Sequence, residues 1–323
     1  MTVQHEPLPA TANNHTGPAR TVVISNPTSG SATDDDEMRA AFAGHDVSWS
    51  PTTEQDPGTG QAAQAVADGA STVIACGGDG TVRAVLESIT GSDATLGVVP
   101  LGTGNLLAAN LGMVTGLDAV DDAVNGRVRR IDVGSVNGER FAVMAGVGFD
   151  AAMIRDAKPE TKSRFGSVAY VASAVRNMPA TMTYAMVDVD GQRVWSGRTA
   201  MVLVGNCGAV TGGLEVFPDA RPDDGVLDVA VLSAKRPREW GSVMWRLARG
   251  KPQRPELVAR YTGTSIRVVM AEPMPYELDG EDRKPVAQLE FGIEPDSLAV
   301  RVPEPVEDHA ETNGEVETSG GQR

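Results

Sequence analysis

TVIACGGDGT, residues 72–81, is the stretch on which the fold turns. Thr72–Cys76 is an apolar run of strand length. Gly77 and Gly78 break it. After Gly80 the apolar positions Val82, Val85, Leu86 and Ile89 recur at i, i+3, i+4 and i+7, one face of a helix. A buried strand that turns through glycines into a helix is the unit of a parallel sheet covered by helices. Such a turn lets main-chain N–H groups approach a phosphate with no side chain in the way, and the helix N-terminus favours negative charge. Asp79 adds a carboxylate at the same place, suited to a divalent cation or a proton. A plain strand-to-helix turn would use the same glycines; Asp79 and Thr81 in this context favour phosphate.

The same unit recurs on both sides. Thr21–Ser25 (TVVIS) leads into Asn26-Pro27-Thr28-Ser29-Gly30, where Gly30 can turn tightly and Thr28 and Ser29 offer hydroxyls. Leu96–Val99 (LGVV) leads into Pro100-Leu101-Gly102-Thr103-Gly104-Asn105, and Leu117, Val120 and Val124 mark a further helix. Ligands of open α/β sheets sit beyond the carboxyl ends of the strands. Three loops at such ends would converge on one crevice, a stronger signal than any one of them.

From about Ile131 the texture is mostly strand. Asn137-Gly138, between Val133–Val136 and Arg140–Met144, and Asp190-Gly191, between Tyr184–Val189 and Gln192–Trp195, are hairpin signals. Further strands read at Thr199–Val204, Val226–Leu232, Ser265–Met270, Val286–Phe291 and Leu298–Val302, with helical patterns near Gly166–Asn177 and Pro237–Arg249. The expected organisation is a polar tail over 1–20, an α/β nucleotide-binding domain over 21–130, a mainly antiparallel β sandwich or barrel over 131–303, and an acidic tail over 304–323. The tails carry too little apolar surface to offset their ordering entropy.

The 323 residues carry a net charge of −15. That charge disfavours nucleic-acid binding and rules against holding an anionic membrane by bulk electrostatics. Cys76 and Cys207 are the two cysteines, too few for a disulfide framework or a four-ligand zinc site. The four histidines are scattered, so a histidine-based metal site or triad is not expected. The polar start lacks an apolar signal core, and no apolar run reaches the roughly 20 residues a spanning helix needs. A cytoplasmic protein is expected, touching any membrane from outside, at its inner face.

NPTSG, GGDGT and PLGTGN, in this order and spacing, resemble the catalytic domain of diacylglycerol and sphingosine-type lipid kinases. Gly146-Val147-Gly148-Phe149-Asp150, Pro218–Gly225 (PDARPDDG) and Asp279-Gly280-Glu281 resemble later blocks of that family, so the likeness runs from Thr21 to Pro303. GGDGT alone is shared with NAD kinases and resembles the phosphofructokinase loop. The resemblance implies a phosphofructokinase/NAD-kinase-like parallel sheet with a second β domain, and ATP-dependent phosphorylation of a lipid hydroxyl, of diacylglycerol or a sphingosine-like alcohol. It implies an ATP site lined by Asn26, Pro27, Thr28, Ser29, Gly30, Thr53, Gly78, Asp79, Gly80, Thr81, Val82, Arg83, Ala84 and Thr103, with Asp79 beside the phosphates and Mg2+. It implies a structural Mg2+ held by the Asp224 carboxylate and the main-chain carbonyls of Arg221 and Val226, reaching Asp79 through water. Glu281 would be the general base, with Asp79 its rival, as in NAD kinases. An NAD kinase or another soluble-substrate kinase, and a catalytically silent lipid-binding protein, are the other readings; NPTSG and the late DGE speak against the first, intact GGDGT and DGE motifs against the second.

Two places depart from the pattern, Arg83 and the pair Leu106-Leu107. Arg83 stands where relatives often carry Asn, and could reach a phosphate or face solvent. Leu106-Leu107 follow Asn105 where Asp-Phe is common. Asp223-Asp224-Gly225 could be a plain turn, although a cation would relieve two adjacent carboxylates. Over Pro237–Arg249, Trp240, Val243, Met244 and Leu247 share one helical face, with Arg238, Arg246, Arg249, Lys251 and Arg254 nearby. That face either packs on the core or makes a transient peripheral membrane contact. Exposed strand edges in the second half would allow a homodimer.

Overall fold

The computed structural model describes residues 20–26, 35–148, 182–210 and 214–304. Pro27, Thr28, Ser29 and Gly30, the Phe149-Asp150 end of one block and the helical pattern at 166–177 lie outside the described residues.

Four parallel strands, β1 (Thr21–Ser25), β2 (Val47–Pro51), β3 (Thr72–Gly77) and β4 (Thr95–Pro100), lie in the order β4-β3-β1-β2. Thr21, Thr72 and Thr95 are in register, so Ser25, Cys76 and Val99 end together at one edge. β3 is buried along its whole length, as a central parallel strand must be when helices cover both faces. On one face pack α2 (Thr59–Ala67), α3 (Asp79–Ile89) and α4 (Leu106–Asn110), with Val82, Val85, Leu86 and Ile89 buried as the periodicity requires. On the other lie α1 (Asp35–Ala41), a 3-10 turn at Gly116–Ala119 and α5 (Val120–Asn125), closing over Val23, Ile74 and Val99.

The second half contributes β5 (Arg127–Val136), β6 (Glu139–Phe141), β7 (Met144–Val147), β8 (Thr183–Val189), β9 (Gln192–Thr199), β10 (Met201–Gly205), β11 (Ala209–Val210), β12 (Leu214–Glu215), β13 (Leu227–Leu232), α6 (Pro237–Leu247), β14 (Val258–Gly263), β15 (Ser265–Leu278) and β16 (Glu281–Val302). Its pairings are antiparallel around a second core that includes Phe141, Val187, Leu227 and Phe291. Two-residue turns join Val136 to Glu139, Val189 to Gln192 and Leu278 to Glu281. Asn137, Asp190 and Asp279 have φ near +48°, and each is followed by a glycine with positive φ. Both central residues of these turns need the left-handed region, which is why Asn-Gly and Asp-Gly occupy them.

The sheet is continuous across both halves. Val286–Phe291 and Leu298–Val302 belong to a single 22-residue strand, β16. It starts as the partner of β15 and ends parallel to β4, with Ala299 opposite Thr95 and Val300 opposite Leu96. A register shift between Glu294 and Leu298 absorbs Pro295.

Candidate active site

The three strand-end loops are bonded to one another. Asn26 donates its N–H to the Cys76 carbonyl at 3.0 Å, Leu101 donates to the Gly77 carbonyl at 2.9 Å, and Thr52 donates to the Ser25 carbonyl at 2.8 Å. The Asn26 amide also reaches the Thr81 hydroxyl at 3.4 Å. A Cβ on Gly102 would stand 2.6 Å from the Gly78 Cα, so glycine is required where PLGTGN crosses GGDGT. Asn105, at φ +49°, closes its own loop by donating to the Gly102 carbonyl at 2.8 Å and accepting the Gly102 N–H at 3.0 Å.

Within 78–84 the side chains divide. Thr81, Val82 and Ala84 are the buried members of α3 in this stretch. The Val82 N–H is already donated to the Gly78 carbonyl at 3.1 Å. Gly78, Asp79, Gly80 and Arg83 are the partly exposed positions. Only the first-turn N–H groups of α3 lack helical partners, and those are what an anion would meet. Thr103 is exposed in its loop. The Thr53 hydroxyl accepts the Asp56 N–H at 3.1 Å and so serves the turn that leads into α2.

Asp79 clasps the next loop. Its two oxygens accept the N–H groups of Asn105, at 2.8 Å, and Leu106, at 2.6 Å, at the start of α4. Burial pushes its pKa above the ordinary carboxylate range; these N–H groups and its own pull it back, and Glu281 adds to the rise.

Glu281 comes to the same place from the other half. A Cβ on Gly80 would lie 2.7 Å from Glu281 Oε1, so that oxygen faces the GGDGT loop. Its Oε2 accepts Arg83 Nη2 at 2.7 Å and both terminal nitrogens of Arg283 at 3.2 Å. Arg83 therefore neither faces solvent nor points along the loop. It crosses to the opposite acid.

Asp279, two residues earlier, is buried and accepts three N–H groups, from Ala142 at 2.8 Å, Val143 at 2.9 Å and Met144 at 3.0 Å. Burial raises its pKa to about 6 against the pull of those bonds. It fixes the turn that presents Glu281, and Gly280 lies against Leu106. Sequence reasoning gave Asp279 no role of its own, although an aspartate ahead of Gly-Glu at a strand end is the visible signal. Arg283 was missed too; it stands two residues past Glu281, on the same strand face.

Arg221, Asp224 and Val226 lie on the loop before β13. Asp132 holds that loop: its oxygens accept the Gly225 and Asp296 N–H groups, each at 2.7 Å, and its own N–H goes to the Pro222 carbonyl at 2.7 Å. The expected repulsion between Asp223 and Asp224 is met differently, because Asp223 pairs with Arg129 at 2.6 Å. Asp224 accepts the Val226 N–H at 3.2 Å and helps push Asp228 up to about 6, behind burial itself and ahead of Asp219. Carboxylates crowded this way suit a cation with oxygen ligands. Among the described residues no group of three His, Cys, Asp or Glu side chains is placed to hold a metal ion. The expected set has one carboxylate and two carbonyls, a different kind of site.

Residues 20–136 match the family described as the diacylglycerol kinase catalytic domain, and residues 142–302 match the YegS C-terminal NAD kinase beta sandwich-like domain. The chain belongs to the diacylglycerol kinase and YegS-like lipid kinase family. A diacylglycerol kinase of Bacillus subtilis is 30% identical over 272 residues, 81% of this chain and 89% of that one. A "probable lipid kinase YegS-like" protein of Pseudomonas aeruginosa is 30% identical over 279 residues, 83% of this chain and 90% of that one. Among solved structures, a Bacillus anthracis diacylglycerol kinase superposes with a TM-score of 0.68 at 20% identity, covering 88% of this chain and 96% of its own. An NAD kinase from Archaeoglobus fulgidus, solved with ATP, gives 0.51 at 13% identity, covering 88% and 94%. At these identities the two structures show the fold alone: a parallel α/β sheet followed by mostly antiparallel strands.

Proposed function

We propose that this kinase transfers the γ-phosphate of ATP to the hydroxyl of a lipid alcohol, diacylglycerol or a sphingosine-like lipid. One observation carries the reading: Glu281 Oε1 faces the GGDGT loop at Gly80, so an acid from the second half overlooks a loop built for phosphate. Phosphoryl transfer asks a protein mainly for position and charge neutralisation. The first-turn N–H groups of α3, with Asn26 and the PLGTGN loop alongside, hold the triphosphate end of the nucleotide. Glu281 takes the proton of the lipid hydroxyl as its oxygen bonds to the γ-phosphorus and ADP leaves. Asp79, whose oxygens already accept two N–H groups, orders the loops and sits beside the phosphates. Bound Mg2+ would neutralise phosphate charge there, and Asp224 with the carbonyls of Arg221 and Val226 would hold a second, structural ion.

Labelled ATP offered with dioleoylglycerol, sphingosine and NAD tests this, with Glu281→Gln beside wild type. Label should enter a lipid, and Glu281→Gln should cost at least about a hundredfold in rate. Label on NAD alone, or full turnover in Glu281→Gln, refutes the reading.

No helix among the described residues is long and apolar enough to cross a membrane. A lipid substrate then calls for a surface contact, at the inner face of the membrane for a cytoplasmic enzyme, and α6 supplies a candidate. Trp240, Val243 and Met244 are buried in the core, so of the two readings of that face it is packing that holds. Trp245 is 43% exposed, with Arg249 and Lys251 over its ring at 5.3 and 4.8 Å. An exposed indole flanked by cations suits an anionic lipid interface, and vesicle binding by Trp245→Ala tests it.

A further inference from the structure

The polar stripe of α3 runs Asp79, Arg83, Glu87, at i, i+4 and i+8, along the helix that starts at the GGDGT loop. Each member reaches out of its own half or its own loop. Asp79 holds α4, Arg83 meets Glu281, and Glu87 accepts the Arg140 N–H at 3.0 Å while its carbonyl takes the Arg140 guanidinium at 3.1 Å.

The Arg83 contact is the one that touches the acid placed here as proton acceptor. Arg83 and Arg283 are each only 17% exposed, and both bond the same oxygen, Glu281 Oε2. Arg283 is itself fixed: its Nε donates to Glu139 at 2.8 Å, and Glu139 accepts the Tyr276 hydroxyl at 3.1 Å. A chain of bonds thus runs from Tyr276 through Glu139, Arg283 and Glu281 to Arg83. With Oε2 taken from two sides, Oε1 is the oxygen left toward Gly80. A planar guanidinium imposes such an orientation in a way a point charge does not.

We propose that Arg83 and Arg283 are positioning residues for Glu281, and that Arg83 fastens it to the helix whose N-terminus bears the phosphate loop. The inference rests on Glu281 as the base. It sets aside the other role open to a cation at position 83, a direct hold on nucleotide phosphate. Misplacing a reacting group by about 1 Å can cost about a hundredfold in rate. Residues acting through one another lose their separate effects once the shared partner is gone.

The experiment is a double-mutant cycle of Arg83→Ala and Glu281→Gln in the full chain. The acceptor is dioleoylglycerol or sphingosine, whichever the wild type turns over faster. Arg83→Ala should lower kcat about ten- to a hundredfold and leave the KM for ATP within about twofold. Arg83→Lys should recover part of the loss. In the Glu281→Gln background, Arg83→Ala should cost less than about twofold more. Arg283→Lys, which keeps charge and bulk, is the second variant and should show the same split should Arg83→Ala fold poorly. A KM for ATP raised about tenfold with kcat unchanged would make Arg83 a nucleotide contact and overturn the proposal, as would losses that multiply in the double variant. Full turnover in Glu281→Gln alone would instead strike the functional reading beneath it.

Discussion

Replacing Asp279 by asparagine keeps the shape of the side chain and changes what its buried end can do. The turn tolerates the change, because asparagine enters the left-handed region as readily as aspartate, and residue 279 sits at φ +47°. At the far end Oδ1 accepts the N–H groups of Val143 and Met144, and Oδ2 that of Ala142. An amide keeps one acceptor and turns an NH2 toward the third N–H, a cost of about 1–3 kcal/mol that is nearly independent of pH. The carboxyl's own contribution does depend on pH. Its pKa rises from 3.8 unfolded to about 6 folded, so between those values the native protein keeps a proton that the unfolded chain has lost. Stability from this group is therefore greatest below about pH 4, falls as pH rises toward 6, and is level above. The whole span is worth about 3 kcal/mol, of which about 1 kcal/mol falls between about pH 5 and about pH 8. Asparagine does not titrate, and the remaining groups cancel when the two proteins are compared. Urea unfolding of both should show the wild type's advantage shrinking by about 1 kcal/mol from about pH 5 to about pH 8. A constant gap would refute the burial argument. A gap that widens with pH would mean that the three N–H groups, and not desolvation, govern the acid.

Gly102→Ala puts a methyl group 2.6 Å from the Gly78 Cα, a main-chain atom that no rotamer change can move aside. It should cost about 1–3 kcal/mol in a melt and lower kcat at least about tenfold, and near-normal turnover would show that the two glycine loops do not need their close approach. Removing the cations beside Trp245, as Arg249→Ala with Lys251→Ala, should weaken binding to vesicles containing anionic lipid about fivefold per charge, as should Trp245→Ala on any vesicle the protein binds. Unchanged binding in both variants would refute α6 as a membrane contact.

What was legible was what local physics dictates. Gly77-Gly78 after a fully apolar strand, the 3-4 spacing of Val82, Val85, Leu86 and Ile89, and the Asn-Gly and Asp-Gly turns each have one cheap conformation, and each took it. The long strand β16 was not legible as one element. Pro285 and Pro295 and a run of charges interrupt its pattern, so Val286–Phe291 and Leu298–Val302 read as two separate strands. Nor could spacing pair Arg83 with Glu281, 198 residues away, or Asp223 with Arg129. Such bonds are decided by which sheet edges meet. On α6 the periodicity picked out Trp240, Val243, Met244 and Leu247 as one face, and that face packs on the core, while the exposed Trp245 drew no notice in the sequence. The core took Trp240 and left Trp245.

One consequence of β16 concerns motion. The strand begins at Glu281 and finishes as a rung beside β4, in the sheet that carries the glycine loops. Any rocking that opens a path for a lipid must twist this ribbon and shear its ladder of main-chain bonds, since no slack tether joins its two ends. Breathing between the halves is therefore expected to be shallow, and the two should melt as one cooperative body.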